Sequence, residues 1–256
     1  MKLHIFNPEH DIALAANQER FTAPHAGRRL RTDLGFIPAF WASEGDMVLV
    51  DDVEAAIEAR RHLSKFGKDV VFVTYADLKA FAFEDVESFQ VDPWGWDRTI
   101  KEQLLRANSN LQSFMPSDDT LAAIREMSSR RFAAEHLLPL LREAGEEKTV
   151  GEARYCTTME DVKQAMAQNG KSVLKSPWSS SGRGVRYVET AAPDAHLEGW
   201  AANVVKRQGG IMVEPLYNKV YDFGLEFFCN ADGTIDFKGI SLFATRGGAY
   251  LGNILA

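Results

Sequence analysis

Cysteine is scarce in this chain: Cys156 and Cys229 are the only two among 256 residues. They lie far apart and form no Cys-x-x-Cys pair, which argues against a disulfide framework or a structural zinc site. Buried free thiols in a reducing compartment are the expectation. No apolar run reaches the ~18 residues a membrane span needs. Residues 1–11 carry Glu9 and Asp11 and too short an apolar run for a secretory leader. A cytoplasmic protein with no membrane partner is expected. Positive charge is not in excess either: 29 Lys and Arg stand against 36 Asp and Glu, a formal net charge of −7. That balance argues against nucleic acid as the main partner. Several signatures are also missing: the P-loop, a G-x-G-x-x-G after the first strand, H-E-x-x-H and the nucleophile elbow.

What remains is an ordinary globular composition, 45% hydrophobic and 25% charged. Apolar segments at 3–6, 47–50 and 70–74 read as strands, and 23–34 and 51–66 as helices, with Gly67 as a C-cap. This β-α-β rhythm predicts an open, mostly parallel α/β sheet. Asp92-Pro93-Trp94-Gly95-Trp96 interrupts the pattern, Trp94-Gly95-Trp96 reads as a packing wedge between domains, and a helix over 98–107 follows. Helices are expected at 119–127 and 130–138, the latter ended or kinked by Pro139. A strand over 148–155 and a helix over 159–168 come next. A helix over 196–208, a strand over 211–214 and a hairpin complete the chain. The hairpin pairs 222–229 with 234–244 across Asn230-Ala231-Asp232-Gly233. The expected organisation is 1–115, 116–192 and 193–256.

The stretch 172–185, Ser-Val-Leu-Lys-Ser-Pro-Trp-Ser-Ser-Ser-Gly-Arg-Gly-Val, carries the most chemistry. An apolar run ends in Lys175, a loop of small residues follows, and the chain turns apolar again at Val185. Backbone N–H groups beside a cation suit the oxygens of a polyphosphate. Gly182 and Gly184 permit close backbone approach. A bland alternative exists for each element, since a lysine before a serine-glycine loop is common in surface hairpins.

Three pieces in order resemble the ATP-grasp superfamily: the lysine strand with its loop, Ile211-Met212-Val213-Glu214-Pro215-Leu216, and Asp222 ahead of alternating Phe223, Leu225 and Phe227. The resemblance runs from about Pro116 onward and implies an α+β ATP-grasp fold after the N-terminal α/β domain. It implies phosphate contacts from Lys175, from Ser179, Ser180, Ser181, Gly182, Arg183 and Gly184, and from Arg130 or Arg131. Glu214, Pro215 and Leu216 would hold the adenine, and Asp222 the ribose. ATP is the implied cofactor. Mg²⁺ is implied only with later strands that the family carries after the ribose acid. Since 34 residues follow Asp222 here, the fold is expected to be incomplete. The implied reaction is carboxylate–amine or carboxylate–thiol ligation through an acyl phosphate. A non-catalytic nucleotide-binding module and a phosphotransferase are the alternatives. A homodimer is possible, and the other partner is a small-molecule substrate.

The segment Asn7-Pro8-Glu9-His10-Asp11 follows the first strand, at the end where α/β sheets bind ligands. Asn7, Glu9, His10 and Asp11 are therefore candidate substrate contacts. His4, His10, Asp11 and His25 are expected to approach one cleft, and a polar turn at Asn7-Pro8 is the competing reading.

Overall fold

The computed structural model describes every residue except 63, 64, 66, 67, 84–87, 146–149, 181, 231, 247, 248, 255 and 256. The expected Gly67 cap lies outside the described residues. The chain divides into two compact units, Met1–Ser129 and Arg130–Ala256. The helix expected to open the second segment, found at Asp118–Met127, packs within the first unit.

The first unit is a parallel four-stranded sheet in the order β3-β2-β1-β4. Its strands are β1 (Lys2–Ile5), β2 (Met47–Leu49), β3 (Val71–Val73) and β4 (Gln90–Pro93). Both faces are covered, as a parallel sheet requires. On one face Leu3, Ile5, Met47, Leu49 and Val73 pack with Leu78, Ile100 and Leu104. On the other, Val48 and Val50 meet Phe36 and Ala56. The helices are α1 (His10–Ala16), α2 (His25–Leu34), α3 (Val53–His62), α4 (Tyr75–Ala80), α5 (Arg98–Ala107) and α6 (Asp118–Met127). Asp97 caps α5 by accepting from Ile100 N, a bond that satisfies one orphan donor of the first turn.

The break expected at 92–96 is corrected, because 90–93 forms β4 and pairs Lys2↔Gln90 through Ile5↔Pro93. Its half-polar pattern hides a strand. Pro93 is tolerated because β4 is an edge strand and needs no further donor. The wedge also separates into parts: Trp96 packs against the first core, whereas Trp94 is 63% and Trp41 50% exposed, their rings 6.2 Å apart.

The second unit begins with a helical run: α7 (Arg130–Phe132), a π turn over Ala133–Leu137 and α8 (Leu138–Glu143). Pro139, expected to end or kink the helix, does not end it: the run continues past it after an irregular turn. The wide turn, in which Leu138 N donates to Ala133 O, absorbs the donor and the space that a proline removes. The expected strand over 148–155 is only β5 (Arg154–Cys156) among the described residues. It joins β6 (Ser172–Lys175), β7 (Val185–Val188) and β8 (Ile211–Pro215) in an antiparallel sheet ordered β5-β8-β6-β7. One face of that sheet, with Leu174, Val188, Ile211 and Val213, packs on α9 (Met159–Asn169) and α10 (Ala195–Gln208) through Val162, Met166, Leu197 and Ala201. A third sheet holds β9 (Asp222–Cys229), β10 (Ile235–Arg246) and β11 (Ala249–Ile254) in the order β11-β10-β9. Cys156 is buried as expected, and burial pushes its thiol up to about 11. Cys229 is exposed instead, on a strand most of whose apolar residues face outward.

One polar group lies deep in the first sheet. His4 on β1 is 3% exposed and sits between two carboxylates. Its Nε2 is 3.2 Å from Asp46 Oδ2, and its Nδ1 is 3.0 Å from Asp92 Oδ2 without hydrogen-bond alignment. The Asp92 interaction chiefly raises the imidazole above its ordinary value, against burial, and Asp46 adds to it. His4 holds Asp92 below the carboxylate range. A raised value in the folded state stabilises below the unfolded value near 6.5 and is lost as pH climbs through the folded value. Urea midpoints of the wild type and His4→Gln should therefore differ most in mildly acidic buffer and converge above neutrality. A gap that is constant with pH would mean that His4 is neutral.

Candidate functional site

The pairing of β6 with β8 sets the site. The register Val173↔Glu214 and Lys175↔Met212 puts Val173, Lys175, Met212 and Glu214 on the face away from α9 and α10, since opposed residues share a face. Lys175 and Glu214 are diagonal neighbours there, and Lys175 Nζ donates to Glu214 Oε2 at 2.5 Å. This pair stands in a cleft of about 590 Å³. The facing wall is the helical run, with Arg130, Ala133, Ala134, Leu137, Leu138 and Leu141. Val150 to Ala153 and Tyr217 complete the lining. Leu137, Leu141, Val150 and Tyr217 are all roughly half exposed or more. The cleft is thus charged at the strand side and apolar at the helix side.

The 176–184 loop is fastened from several sides. Ser176 N donates to Gly184 O at 2.8 Å, which closes the loop's base. Gln208 from α10 accepts from Trp178 N at 3.0 Å and donates to Trp178 O at 3.3 Å. Arg130 does more. Its Nη1 donates to Ser176 O at 2.6 Å and Ser179 Oγ at 2.9 Å, and its Nη2 to Ser179 O at 3.0 Å. A Cβ on Gly184 would stand 2.2 Å from Ser179 Oγ, so only glycine lets the two loop ends approach this closely. Gly182 has φ +71°, where glycine is favoured. Ser180 accepts from Arg183 N at 3.2 Å, and the Arg183 side chain is exposed. Ser181 lies outside the described residues.

Arg130 and Arg131 separate in space. One helical position apart, they point in different directions. Arg131 pairs with Glu135 at 2.7 Å and lies over the Tyr155 ring, 4.8 Å from its centre. It is not among the lining residues of the cleft. Pro215 lines a smaller cavity of about 270 Å³ behind the sheet, and Leu216 N already donates to Lys171 O at 3.0 Å. Asp222 is held outside the cleft lining. Its Oδ2 accepts from Lys219 Nζ at 2.7 Å and Thr245 Oγ1 at 2.5 Å. Those two bonds, Lys219 first, hold its carboxyl below the usual range. The apolar residues Leu137, Leu141, Val150 and Tyr217 carried no motif. Their one sequence signal is leucine recurring at 137, 138, 140 and 141 in a helix read as plain.

Around the first sheet, the N-terminal candidates separate. His4 is engaged by Asp46 and Asp92, and His25 is exposed at the start of α2, so the expected four-member cleft does not form. Asp11 sits in the first turn of α1. Asn7 and His10 instead converge on partners after β4. Asn7 Nδ2 donates to Gly95 O at 2.8 Å and approaches Asp97 Oδ2 at 3.4 Å, while His10 Nδ1 lies 3.1 Å from Asp97 Oδ2. Glu9 Oε1 accepts from Arg31 Nη1 at 2.7 Å. Burial raises the Glu9 carboxyl above its ordinary value, with Arg31 opposing.

No protein-family model matches the sequence, and no curated protein is significantly similar to it. Solved structures are similar in fold. A biotin carboxylase–β,γ-ATP complex from Campylobacter jejuni has a TM-score of 0.51 at 15% identity, over 98% of this chain and 53% of that one. An N5-carboxyaminoimidazole synthetase from Staphylococcus aureus, complexed with ADP, has 0.49 at 13% identity, over 97% and 56%. An N5-carboxyaminoimidazole ribonucleotide synthetase from Thermus thermophilus has 0.47 at 16%, over 98% and 56%. The chain therefore spans a little over half the length of these proteins. The first similarity shows the fold alone: this chain shares a mixed α/β architecture with that protein.

Arg130 and Arg131 should separate in experiment. Arg130→Ala removes three bonds to the loop, and hydrogen exchange across 176–184 should accelerate by roughly tenfold or more. Arg131→Ala should leave that exchange unchanged. Equal acceleration in both variants would remove Arg130 as the fastener.

Proposed function

We propose that this chain is the nucleotide-binding part of an ATP-dependent ligase of the ATP-grasp kind. The observation that carries this reading is one cleft with Lys175 at its strand side and a bare apolar wall opposite. The cleft fits the group. Its volume of about 590 Å³ lies within the ~300–1,000 Å³ usual for small-molecule sites. A purine needs apolar faces, supplied by Leu137, Leu141, Val150 and Tyr217. A polyphosphate needs a cation and small-residue backbone, supplied by Lys175 and the loop that ends at Gly184.

The roles follow from what each side chain already does. Lys175 leaves Glu214 to neutralise phosphate oxygens, its stem packed along the strand. Glu214, once released, accepts from an exocyclic amine of the base. Arg130 acts through the loop, because its guanidinium is committed to Ser176 and Ser179. Asp222, engaged by Lys219 and Thr245 outside the cleft lining, takes no part in this reading. The bound nucleotide supplies a phosphoryl group to a substrate carboxylate, and an amine or thiol then takes the acyl group. The protein contributes position and charge neutralisation. Mg²⁺ has no comparable fit. The carboxylates lining the cleft are Glu152 and Glu214, and among the described residues no group of three or more His, Cys, Asp or Glu gathers.

Lys175→Met should weaken nucleotide binding by roughly ten- to a hundredfold, the loss of a charged hydrogen-bonding partner. Its thermal stabilisation by ATP should fall accordingly, while Lys163→Met keeps the wild-type shift. An unchanged shift in Lys175→Met would remove the cleft from nucleotide binding. ATP with a panel of carboxylates and hydroxylamine should yield a hydroxamate; ADP release without hydroxamate would point to phosphoryl transfer onto a hydroxyl.

A further inference from the structure

The first unit holds a second constellation that the nucleotide reading does not use. In the order β3-β2-β1-β4 the chain leaves β1 toward β2, while β4 lies on its other side. Residues after β1 lead to α2 and Phe36 on one face, and residues after β4 lead to α5 on the other. The carboxyl ends of β1 and β4 therefore flank a topological switch point, the place where open α/β sheets hold ligands. Asn7, Glu9 and His10 follow β1 there, and Gly95 and Asp97 follow β4.

Asp97 is 4% exposed and receives donors on both oxygens. Ile100 N donates to Oδ1 at 2.9 Å, and Asn7 Nδ2 lies 3.4 Å from Oδ2. An acceptor so surrounded takes a proton-bearing nitrogen from His10, whose Nδ1 is 3.1 Å from Oδ2. The imidazole is thereby held as the Nδ1–H tautomer, and its Nε2 carries a lone pair. No described residue is seen to partner that Nε2. The ring lies against Gly95, where an added Cβ would stand 2.2 Å from Cδ2 and 2.4 Å from Nε2. A carboxylate that orients a histidine whose other nitrogen is left open is the arrangement of a general base.

The surroundings state the ligand's charge. Two buried carboxylates, Glu9 and Asp97, stand at this point, and Arg31 pairs with one of them through Glu9 Oε1 at 2.7 Å. Glu9 is 8% exposed, and its Oε2 has no partner among the described residues. A hydrogen-bond donor of positive charge suits this set, and an anion does not.

We propose that the β1/β4 switch point binds a primary amine as its ammonium, and that His10 is its proton acceptor with Asp97 as the positioning residue. The step is R–NH3⁺ plus neutral His10 giving R–NH2 plus imidazolium: the proton moves to Nε2, the amine nitrogen keeps the electron pair, and Asp97 balances the new charge. Only the use of that amine as an acyl acceptor rests on the ligase reading.

The test is ¹⁵N-histidine NMR of the whole chain without nucleotide, titrated with methylammonium chloride and a series of longer alkylammonium and amino-acid probes, with sodium acetate as control. His10 should show the Nδ1–H tautomer, and its Nε2 resonance should shift saturably with amines and not with acetate. Gly95→Ala should weaken that response by roughly tenfold or more. Asp97→Asn, which keeps an oxygen to cap α5, should change the tautomer and lose the amine response. An Nε2–H tautomer in the wild type, no shift with any amine, or an equal shift with acetate would overturn the proposal. Because ATP is absent, failure here leaves the nucleotide reading standing, and failure of ATP binding leaves this site standing.

Discussion

A lysine ammonium and a glutamate carboxylate meet at 2.5 Å on the open face of a four-stranded sheet. The β6–β8 register puts the two within reach, because Lys175 and Glu214 are diagonal neighbours on one face while Leu174 and Val213 anchor the other face in the core. The pair is partly exposed, so its own contribution to stability is small. Its consequence is placement. A cation and an acceptor are presented to the same cleft by two strands whose opposite sides are fully packed.

The rest of the second unit serves that placement. The helical run supplies the apolar wall, and its π turn lets it continue through Pro139 far enough to bring Leu141 into the lining. Arg130, at the start of the run, ties the wall to the loop through Ser176 and Ser179. Gln208, at the last turn of α10, holds Trp178 at the loop's other side. The loop is therefore a fastened structure with a glycine at its tightest approach, and the Arg130 guanidinium is committed to it.

Much of this was legible in the amino acids, and the limits have physical causes. The lysine strand, its returning partner, the strand ending in Glu214 and the 222–229 hairpin strand all follow from local apolar pattern and turn chemistry. Helix 98–107 was equally clear, and its Asp97 cap emerged only in the structure. Elements whose identity comes from a partner were not. The strand Gln90–Pro93 is half polar and exists because β1 lies beside it. Arg130 and Arg131 could not be told apart, since one step on a helix decides which faces the loop. The engagement of Asp222 by Thr245 depends on the β9–β10 register, which contains a bulge. Asn7 and His10 marked themselves by their place after the first strand. Their partners Gly95 and Asp97, nearly ninety residues on, could be named only once β4 was seen beside β1.

The proposed function turns on Lys175 exchanging Glu214 for phosphate when the cleft fills. A crystal structure of this chain with a non-hydrolysable ATP analogue tests it most directly, through the Lys175 Nζ to Glu214 Oε2 separation. The account predicts that the 2.5 Å contact opens and that Nζ comes within hydrogen-bond distance of phosphate oxygens, with the base against Leu137, Leu141 and Tyr217. An analogue bound elsewhere, or bound in the cleft with the ion pair intact, would contradict it.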